Sequence, residues 1–185
     1  MPASLHDWVE LWFDSMPRQR DAAALVEPLL RFNQVPAEPW TEGDVDVLVV
    51  ENQGVWLWGR TDAGEFVERA NEPEAEWQPI AEDEEGFWLH HAAFEALWSM
   101  AASRSALQLD QASVSRIEDA CTPLPCAEWS WPGTRHRMWH RSGALAMICQ
   151  DGDGFWVMVA ARTEEELSWL DPFALEWDES DSRTP

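Results

Sequence analysis

The stretch Asp44–Arg60, with the sequence DVDVLVVENQGVWLWGR, predicts a β-hairpin around which the rest of the chain is organised. Its first half alternates valine with acidic residues and then becomes continuously apolar, which is typical of a strand that is half exposed at its start and buried at its end. Asn52 and Gly54 favour the positive φ angles that short hairpin turns require. The chain therefore reverses near Gly54 and returns as a second strand, in which Trp56 and Trp58 share one face.

The turn and the returning strand form a motif made of Glu51, Asn52, Gln53, Gly54, Val55, Trp56, Trp58 and Gly59. Preceded by an apolar strand, this motif resembles the hairpin of the SUKH superfamily, a group best represented by bacterial immunity proteins that neutralise toxins. The resemblance is clearest over about residues 25–105, where Leu29–Phe32 corresponds to the helix before the hairpin and Phe94–Met100 to the helix after it. It implies an α+β fold, with helices packed against an antiparallel sheet, and a function in binding a cognate protein toxin. The turn Asp62–Gly64 differs from the Asp-Asp-Pro-like turn common in the family, so the branch of the superfamily stays open.

Length and composition predict one globular domain. A chain of 185 residues, of which 45% are hydrophobic, is long enough for one full core, and two small domains are possible but not required. We expect a single domain over residues 1–175 and an acidic, disordered tail over residues 176–185. Three cysteines do not suffice for a disulfide framework, and no apolar run approaches the roughly 20 residues that cross a bilayer. The N-terminus also lacks the pattern of a secretory signal, and these features together predict a cytoplasmic protein.

Acidity is the strongest bulk property of the sequence, since 35 Asp and Glu against 12 basic residues give a formal net charge of -23. Such a field repels nucleic-acid phosphates and anionic membranes and attracts cationic proteins. We therefore expect neither nucleic acid nor membrane as the partner, and the charge agrees with the protein toxin that the resemblance implies. Two other interpretations of the charge stay open: it keeps the protein in solution, or it presents carboxylates as an acidic DNA mimic.

The densest acidic stretch follows the hairpin, over residues 72–85, and includes Trp77 and Ile80, which we expect to anchor it to the body of the domain. Carboxylates of this stretch and two at the rim of the hairpin are the predicted partner-binding surface. The predicted residues are Asp44, Asp46, Glu72, Glu74, Glu76, Glu82, Asp83, Glu84 and Glu85.

The residues before and after the hairpin predict further elements. Ser4 caps a helix whose apolar residues recur at helical spacing as far as Met16, and a second helix has Pro28 in its first turn. Residues 35–43 contain two prolines and a glycine and predict a loop. Residues 90–103 predict a helix that lies across the sheet.

The second half of the chain predicts another hairpin, formed by Ala144–Cys149 and Phe155–Ala161. For residues 107–118 the sequence allows two predictions, either a short strand followed by a loop, or a helix, and it does not choose between them. Thr163 and Glu166 form a capping box that begins a final short helix.

A zinc site is weighed on Cys121, Cys126, His136 and His140. Four residues separate the cysteines and three separate the histidines, as in zinc fingers, but only nine lie between the two pairs, where about twelve are usual. The misfit favours ordinary surface or half-buried residues, and we assign no metal.

Evidence for an enzyme is thin. His90 and His91 follow acidic residues, but any histidine in so acidic a chain has acidic neighbours. The sequence has no nucleophile elbow, phosphate-binding glycine loop or paired-histidine metalloprotease motif, so we expect no catalytic residue and no cofactor. The alternative function is a small-ligand-binding protein or enzyme that lines a pocket with several of its 14 tryptophans.

Overall fold

The computed structural model describes residues 2, 4–14 and 21–179, and the chain divides into two compact units. Unit 1 is Met1–Glu95 and unit 2 is Ala96–Pro185. Each unit contains one antiparallel sheet together with helices, so the predicted α+β class is confirmed, with two sheets where one was expected.

Unit 1 contains a five-stranded sheet in which strands that follow one another in the chain are neighbours. The order is β1-β2-β3-β4-β5, and every neighbouring pair is antiparallel. Its elements are α1 (Leu5–Trp12), α2 (Ala22–Val26), a 3₁₀ turn (Glu27–Leu29), β1 (Trp40–Glu42), β2 (Val45–Val50), β3 (Trp56–Thr61), β4 (Phe66–Ala70), β5 (Gln78–Pro79) and α3 (Glu84–Ser99), which continues into unit 2.

The predicted hairpin is confirmed as β2 and β3. Val45, Val47 and Val49 are buried at alternate positions of β2, and Asp46 between them is exposed. The register shifts between Val47 and Val49, which is a β-bulge that adds twist to the sheet. Gly54 in the turn has a φ of 73°, a left-handed conformation that glycine adopts without steric cost.

α3 packs against the sheet of unit 1 through aromatic side chains. Phe87 stacks on Phe66 of β4 with ring centroids 4.3 Å apart. One turn later, the His91 ring meets the Trp58 ring of β3 edge-on at 5.1 Å. All four side chains are buried, and large aromatic groups remove much apolar surface from water, so these pairs stabilise the helix against the sheet.

The predicted cap of α1 is confirmed, because the Ser4 hydroxyl accepts the Asp7 N–H at 3.3 Å. The predicted end of this helix is wrong: the backbone is already extended at Phe13, and Met16 lies outside the described residues.

Three other boundaries in unit 1 also differ from the prediction. α2 begins at Ala22, with Asp21 as its cap, so Pro28 follows this helix instead of lying in its first turn. Trp40–Glu42 forms β1 inside the predicted loop, because Trp40 and its neighbours pair with β2. α3 begins at Glu84 rather than near His90.

Unit 2 contains a six-stranded antiparallel sheet of order β11-β6-β10-β9-β8-β7. Its elements after α3 are β6 (Ala102–Leu109), α4 (Gln111–Asp119), β7 (Thr122–Pro123), β8 (Arg135–Arg141), β9 (Ala144–Asp151), β10 (Gly154–Ala161), a 3₁₀ helix (Glu165–Phe173) and β11 (Asp178–Glu179).

The second predicted hairpin is confirmed as β9 and β10. Residues 107–118, for which the sequence left both a strand and a helix open, contain parts of both. β6 ends at Leu109, and α4 begins after Asp110, whose carboxylate accepts the Ser113 N–H at 2.8 Å. Val114 and Ile117 of α4 belong to the buried core with apolar residues of β6, β9 and β10.

The predicted capping box is also confirmed. The Glu166 carboxylate accepts the Thr163 N–H at 3.1 Å, and the Thr163 hydroxyl accepts the Glu166 N–H at 3.4 Å. The helix that follows is 3₁₀ and continues through Pro172 to Phe173.

Part of the expected tail belongs to the sheet, since Asp178 pairs with Ser105 of β6. Residues 180–185 of the expected tail lie outside the described residues. Among the residues described, no helix combines the length and the apolar composition that a membrane span requires.

Candidate partner-binding cleft

A cleft of about 520 Å³ in unit 1 gathers carboxylates from distant parts of the sequence. Four of the nine predicted partner-binding residues line it: Asp46, Glu82, Asp83 and Glu84. The remaining lining residues are Arg60, Thr61, Asp62, Gly64 and Phe66, and we call the whole set the acidic cleft. It contains five carboxylates and one guanidinium group, so it suits a cationic ligand.

One wall of the acidic cleft comes from the hairpin. Asp46 is exposed on β2 and lies directly opposite Arg60 of β3 in the strand register. The Thr41 hydroxyl donates to the Asp46 carboxylate at 3.0 Å, so β1 orients this side chain. The alternation of buried valine and exposed aspartate in β2 therefore positions one carboxylate at the cleft.

The opposite wall is the beginning of α3. Asp83 is the N-cap of this helix, since its carboxylate accepts the Gly86 N–H at 2.8 Å and its carbonyl oxygen accepts the Phe87 N–H at 3.0 Å. Glu82 is half-buried beside it, and a Cβ at Gly86 would clash with the Glu82 carboxylate. Negative charge at a helix N-terminus is stabilised by the helix dipole, which allows Glu82, Asp83 and Glu84 to stand together.

The other five predicted residues lie elsewhere in unit 1. Glu72, Glu74 and Glu76 are exposed in the loop between β4 and β5, outside the acidic cleft. Asp44 is exposed at the turn before β2, where its carbonyl oxygen accepts the Asp62 N–H at 2.9 Å. Glu85 accepts the Leu5 N–H at 2.7 Å, so its carboxylate stabilises the start of α1.

Five lining residues were not predicted from the sequence: Arg60, Thr61, Asp62, Gly64 and Phe66. Arg60 could have been found, because the hairpin register places it opposite Asp46. Asp62 lies in the turn between β3 and β4, and only the packing of α3 on the sheet brings that turn to Glu82 and its neighbours.

The acidity of the chain is concentrated in unit 1. Residues 1–95 contain 21 Asp and Glu and 5 Arg, for a formal net charge of -16 out of the total of -23. The field of the whole unit therefore adds to the attraction that the cleft exerts on a cation.

The loop before the cleft is held by a buried arginine. Arg69 pairs with the Glu42 carboxylate and donates to the carbonyl oxygens of Ala70 and Glu72 at 2.8 and 2.9 Å. Its guanidinium group lies over the Trp77 ring, 4.9 Å from the centroid. Together with burial of Ile80, these contacts agree with the expected anchoring of the acidic stretch.

The hairpin motif has structural contacts. Glu51 is 3% exposed, and its carboxylate accepts the N–H groups of Gln53 and Val55 at 2.8 and 3.4 Å. The Trp56 indole donates to the buried Glu68 carboxylate at 3.1 Å. Glu51 therefore shapes the turn, and Trp56 joins β3 to β4.

No family model, curated protein or solved structure matches this chain. Functional inference for the acidic cleft consequently depends on its own residues, their charge and their geometry.

The residues weighed for zinc do not form a metal centre in unit 2. Among the described residues, no three of Cys121, Cys126, His136 and His140 bring ligand atoms within 4.8 Å of one another. Burial lowers the pKa of His136 to about 3 and raises the pKa of the Cys121 thiol to about 11, so His136 stays neutral and Cys121 stays protonated near pH 7.

His90 and His91 are both about 1% exposed within α3. The His91 ring contacts the rings of Phe87 and Trp58 at 4.7 and 5.1 Å. Neither histidine lines the acidic cleft, and His91 contributes to packing between helix and sheet.

Proposed function

We propose that this chain is a SUKH-like immunity protein of the bacterial cytoplasm, which binds and neutralises a cationic, nuclease-like toxin through the acidic cleft. The proposal makes it a binding protein, without a catalytic residue or a cofactor of its own.

The observation that carries the proposal is the convergence of Asp46 with Glu82, Asp83 and Glu84. These residues come from two segments of the chain, and Asp62 adds a fifth carboxylate to the same cleft. Five carboxylates around Arg60 leave a net negative site that a basic side chain of a partner can enter.

The charge also suggests how neutralisation works. A nuclease holds the phosphates of its substrate with basic residues, and those residues are attracted to unit 1 over several ångströms before contact. Once they are covered by carboxylates, nucleic acid is excluded both sterically and by charge repulsion. The hairpin supports this role indirectly, because its motif forms the turn and part of β3, which pairs with the strand that presents Asp46.

The test is co-expression with the toxin domain encoded beside the gene of this chain. We expect rescue of growth and a one-to-one complex whose association rate falls steeply as salt is raised. Absence of a complex with that toxin would refute the proposal.

A matched pair of variants locates the contact surface. Glu82→Lys/Glu84→Lys and Glu74→Lys/Glu76→Lys change the net charge equally, but only the first pair lines the cleft. We expect the first to weaken binding roughly a hundredfold and the second only a few-fold, through loss of long-range steering. Equal losses in both variants would assign binding to bulk charge, and tight binding by the first would exclude the cleft. Circular dichroism checks that both variants fold.

A further inference from the structure

Unit 2 contains a second cleft, of about 280 Å³, whose lining differs in charge from the acidic cleft. Arg135 and Arg137 of β8 line it together with Glu118, Glu128, Trp139 and Phe155. We call it the arginine cleft. Two guanidinium groups and two carboxylates make its lining formally neutral, within a chain whose net charge is -23.

The register of the sheet explains why these side chains lie together. Arg135 and Arg137 are two residues apart on β8, so both side chains emerge from the same face. Arg135 is directly opposite Gln150 of β9, which is opposite Phe155 of β10. The arginines and the Phe155 ring therefore share one face of the sheet, at the place where the buried core gives way to solvent.

The two guanidinium groups share one carboxylate. Arg135 Nη1 lies 3.3 Å from Glu128 Oε1, and Arg137 Nε lies 3.2 Å from Glu128 Oε2. Both distances exceed the 2.7–2.9 Å typical of a strong charge-assisted hydrogen bond. Each arginine has five N–H donors and is 60% exposed, so the contacts with Glu128 use only some of these donors. Donors are therefore left over at the cleft.

The aromatic residues beside the arginines indicate which chemical class of ligand the cleft suits. Trp139 and Phe155 are partly buried against the core and offer apolar surface beside the guanidinium groups. Guanidinium groups form two parallel hydrogen bonds with a carboxylate, and a flat ring packs on aromatic side chains. Glu118 and Glu128 oppose a second negative charge, so a monoanion is favoured over a phosphate dianion.

We propose that the arginine cleft binds a small aromatic monocarboxylate, with its carboxylate on Arg135 and Arg137 and its ring against Trp139 and Phe155. The site is independent of the proposed toxin-binding function, because it uses residues of unit 2 only.

Binding of benzoate to the full chain, followed by calorimetry and by two-dimensional NMR, tests the proposal. We expect saturable one-to-one binding, with the indole N–H signal of Trp139 shifted; Trp139→Phe assigns that signal. Arg135→Gln/Arg137→Gln should weaken binding at least tenfold, whereas Arg162→Gln, a control that removes one positive charge elsewhere in unit 2, should change it less than about twofold.

Two further probes distinguish the contribution of the aromatic ring to binding from that of the negative charge. Cyclohexanecarboxylate keeps the charge without the flat ring and should bind more weakly than benzoate, and inorganic phosphate should bind more weakly still. The proposal is overturned if benzoate does not saturate, if the double variant binds it as tightly as the wild type, or if phosphate binds as tightly as benzoate. Both arginines are exposed, so the variants are expected to fold, which the dispersion of their NMR spectra verifies.

Discussion

Both carboxylate oxygens of Glu95 accept the backbone N–H of Phe32, at 2.7 and 3.0 Å. The same carboxylate accepts the N–H groups of Arg31 and Asn33, at 2.5 and 3.4 Å. Glu95 is 1% exposed, so a side chain of α3 satisfies three backbone donors of the segment that leads from the 3₁₀ turn to the sheet.

This arrangement predicts a pH dependence. Burial raises the pKa of Glu95 above its ordinary value of 4.5, more than the backbone hydrogen bonds lower it. The folded state then binds the proton more tightly than the unfolded state, so this group's contribution to the free energy of unfolding decreases as pH rises from 4.5 through the folded-state pKa. Urea unfolding of the wild type and Glu95→Gln between pH 4.5 and 7 should show the decrease in the wild type alone. If the free energies of unfolding of the wild type and Glu95→Gln changed in parallel with pH, the prediction would be contradicted. Glu74→Gln, at an exposed position, serves as the control.

The sequence was sufficient to predict the two hairpins and the capping box, because each depends on neighbouring residues. Valine alternation and a turn glycine specify β2 and its reversal, and Thr163 and Glu166 are three residues apart. β1 was missed because its three residues lie beside a proline-rich segment and form a strand only by pairing with β2.

The way in which the walls of the acidic cleft come together could not be predicted for the same reason. Asp46 could be placed on the exposed face of a strand, but its approach to Glu82 depends on how α3 packs across the sheet. The buried positions of Arg69 and Glu95 also depend on partners far along the chain, at Glu42 and Phe32. A charged residue is rarely buried without a partner, and sequence alone does not identify that partner.

His136 predicts a pH dependence of opposite sign. Burial lowers the pKa of His136 from 6.5 to about 3, so between these values the unfolded state binds a proton that the folded state does not. The free energy of unfolding should fall as pH drops below 6.5, approaching about 1.4 kcal/mol per pH unit from this group. His136→Gln should lose that slope and the exposed control His6→Gln should keep it; a slope retained in His136→Gln would be inconsistent with a buried neutral histidine.

Gly59 should tolerate no side chain. A Cβ at this position in β3 would lie 2.6 Å from Val45 Cγ1 and 2.7 Å from the carbonyl oxygen of Asp46, both in β2. Gly59→Ala should therefore force the hairpin apart and lower the free energy of unfolding by about 1–3 kcal/mol. The control is Gly154→Ala, where the nearest atom would lie at 3.4 Å and the expected loss is below about 1 kcal/mol. Equal effects in urea unfolding would argue against close packing at Gly59.

Arg69 should stabilise the acidic loop between β4 and β5 through its specific contacts as well as through its positive charge. Arg69→Lys keeps the positive charge but cannot contact Glu42, the carbonyl oxygens of Ala70 and Glu72, and the Trp77 ring at the same time. We expect a loss of about 1–3 kcal/mol in the free energy of unfolding, since two backbone carbonyl oxygens and the half-buried Glu42 carboxylate lose donors.

The same substitution should open the loop locally. Residues 71–81 contain several glutamates and no lysine or arginine, so a glutamate-specific protease reports on this loop and trypsin does not. Cleavage after Glu74 or Glu76 should be faster in Arg69→Lys than in the wild type, because local opening precedes proteolysis. Arg60→Lys, a matched substitution on the neighbouring strand β3, should leave the cleavage rate unchanged. If both variants were cleaved at the wild-type rate, the loop would be held by Ile80 and the pairing of β5 with β4 rather than by Arg69.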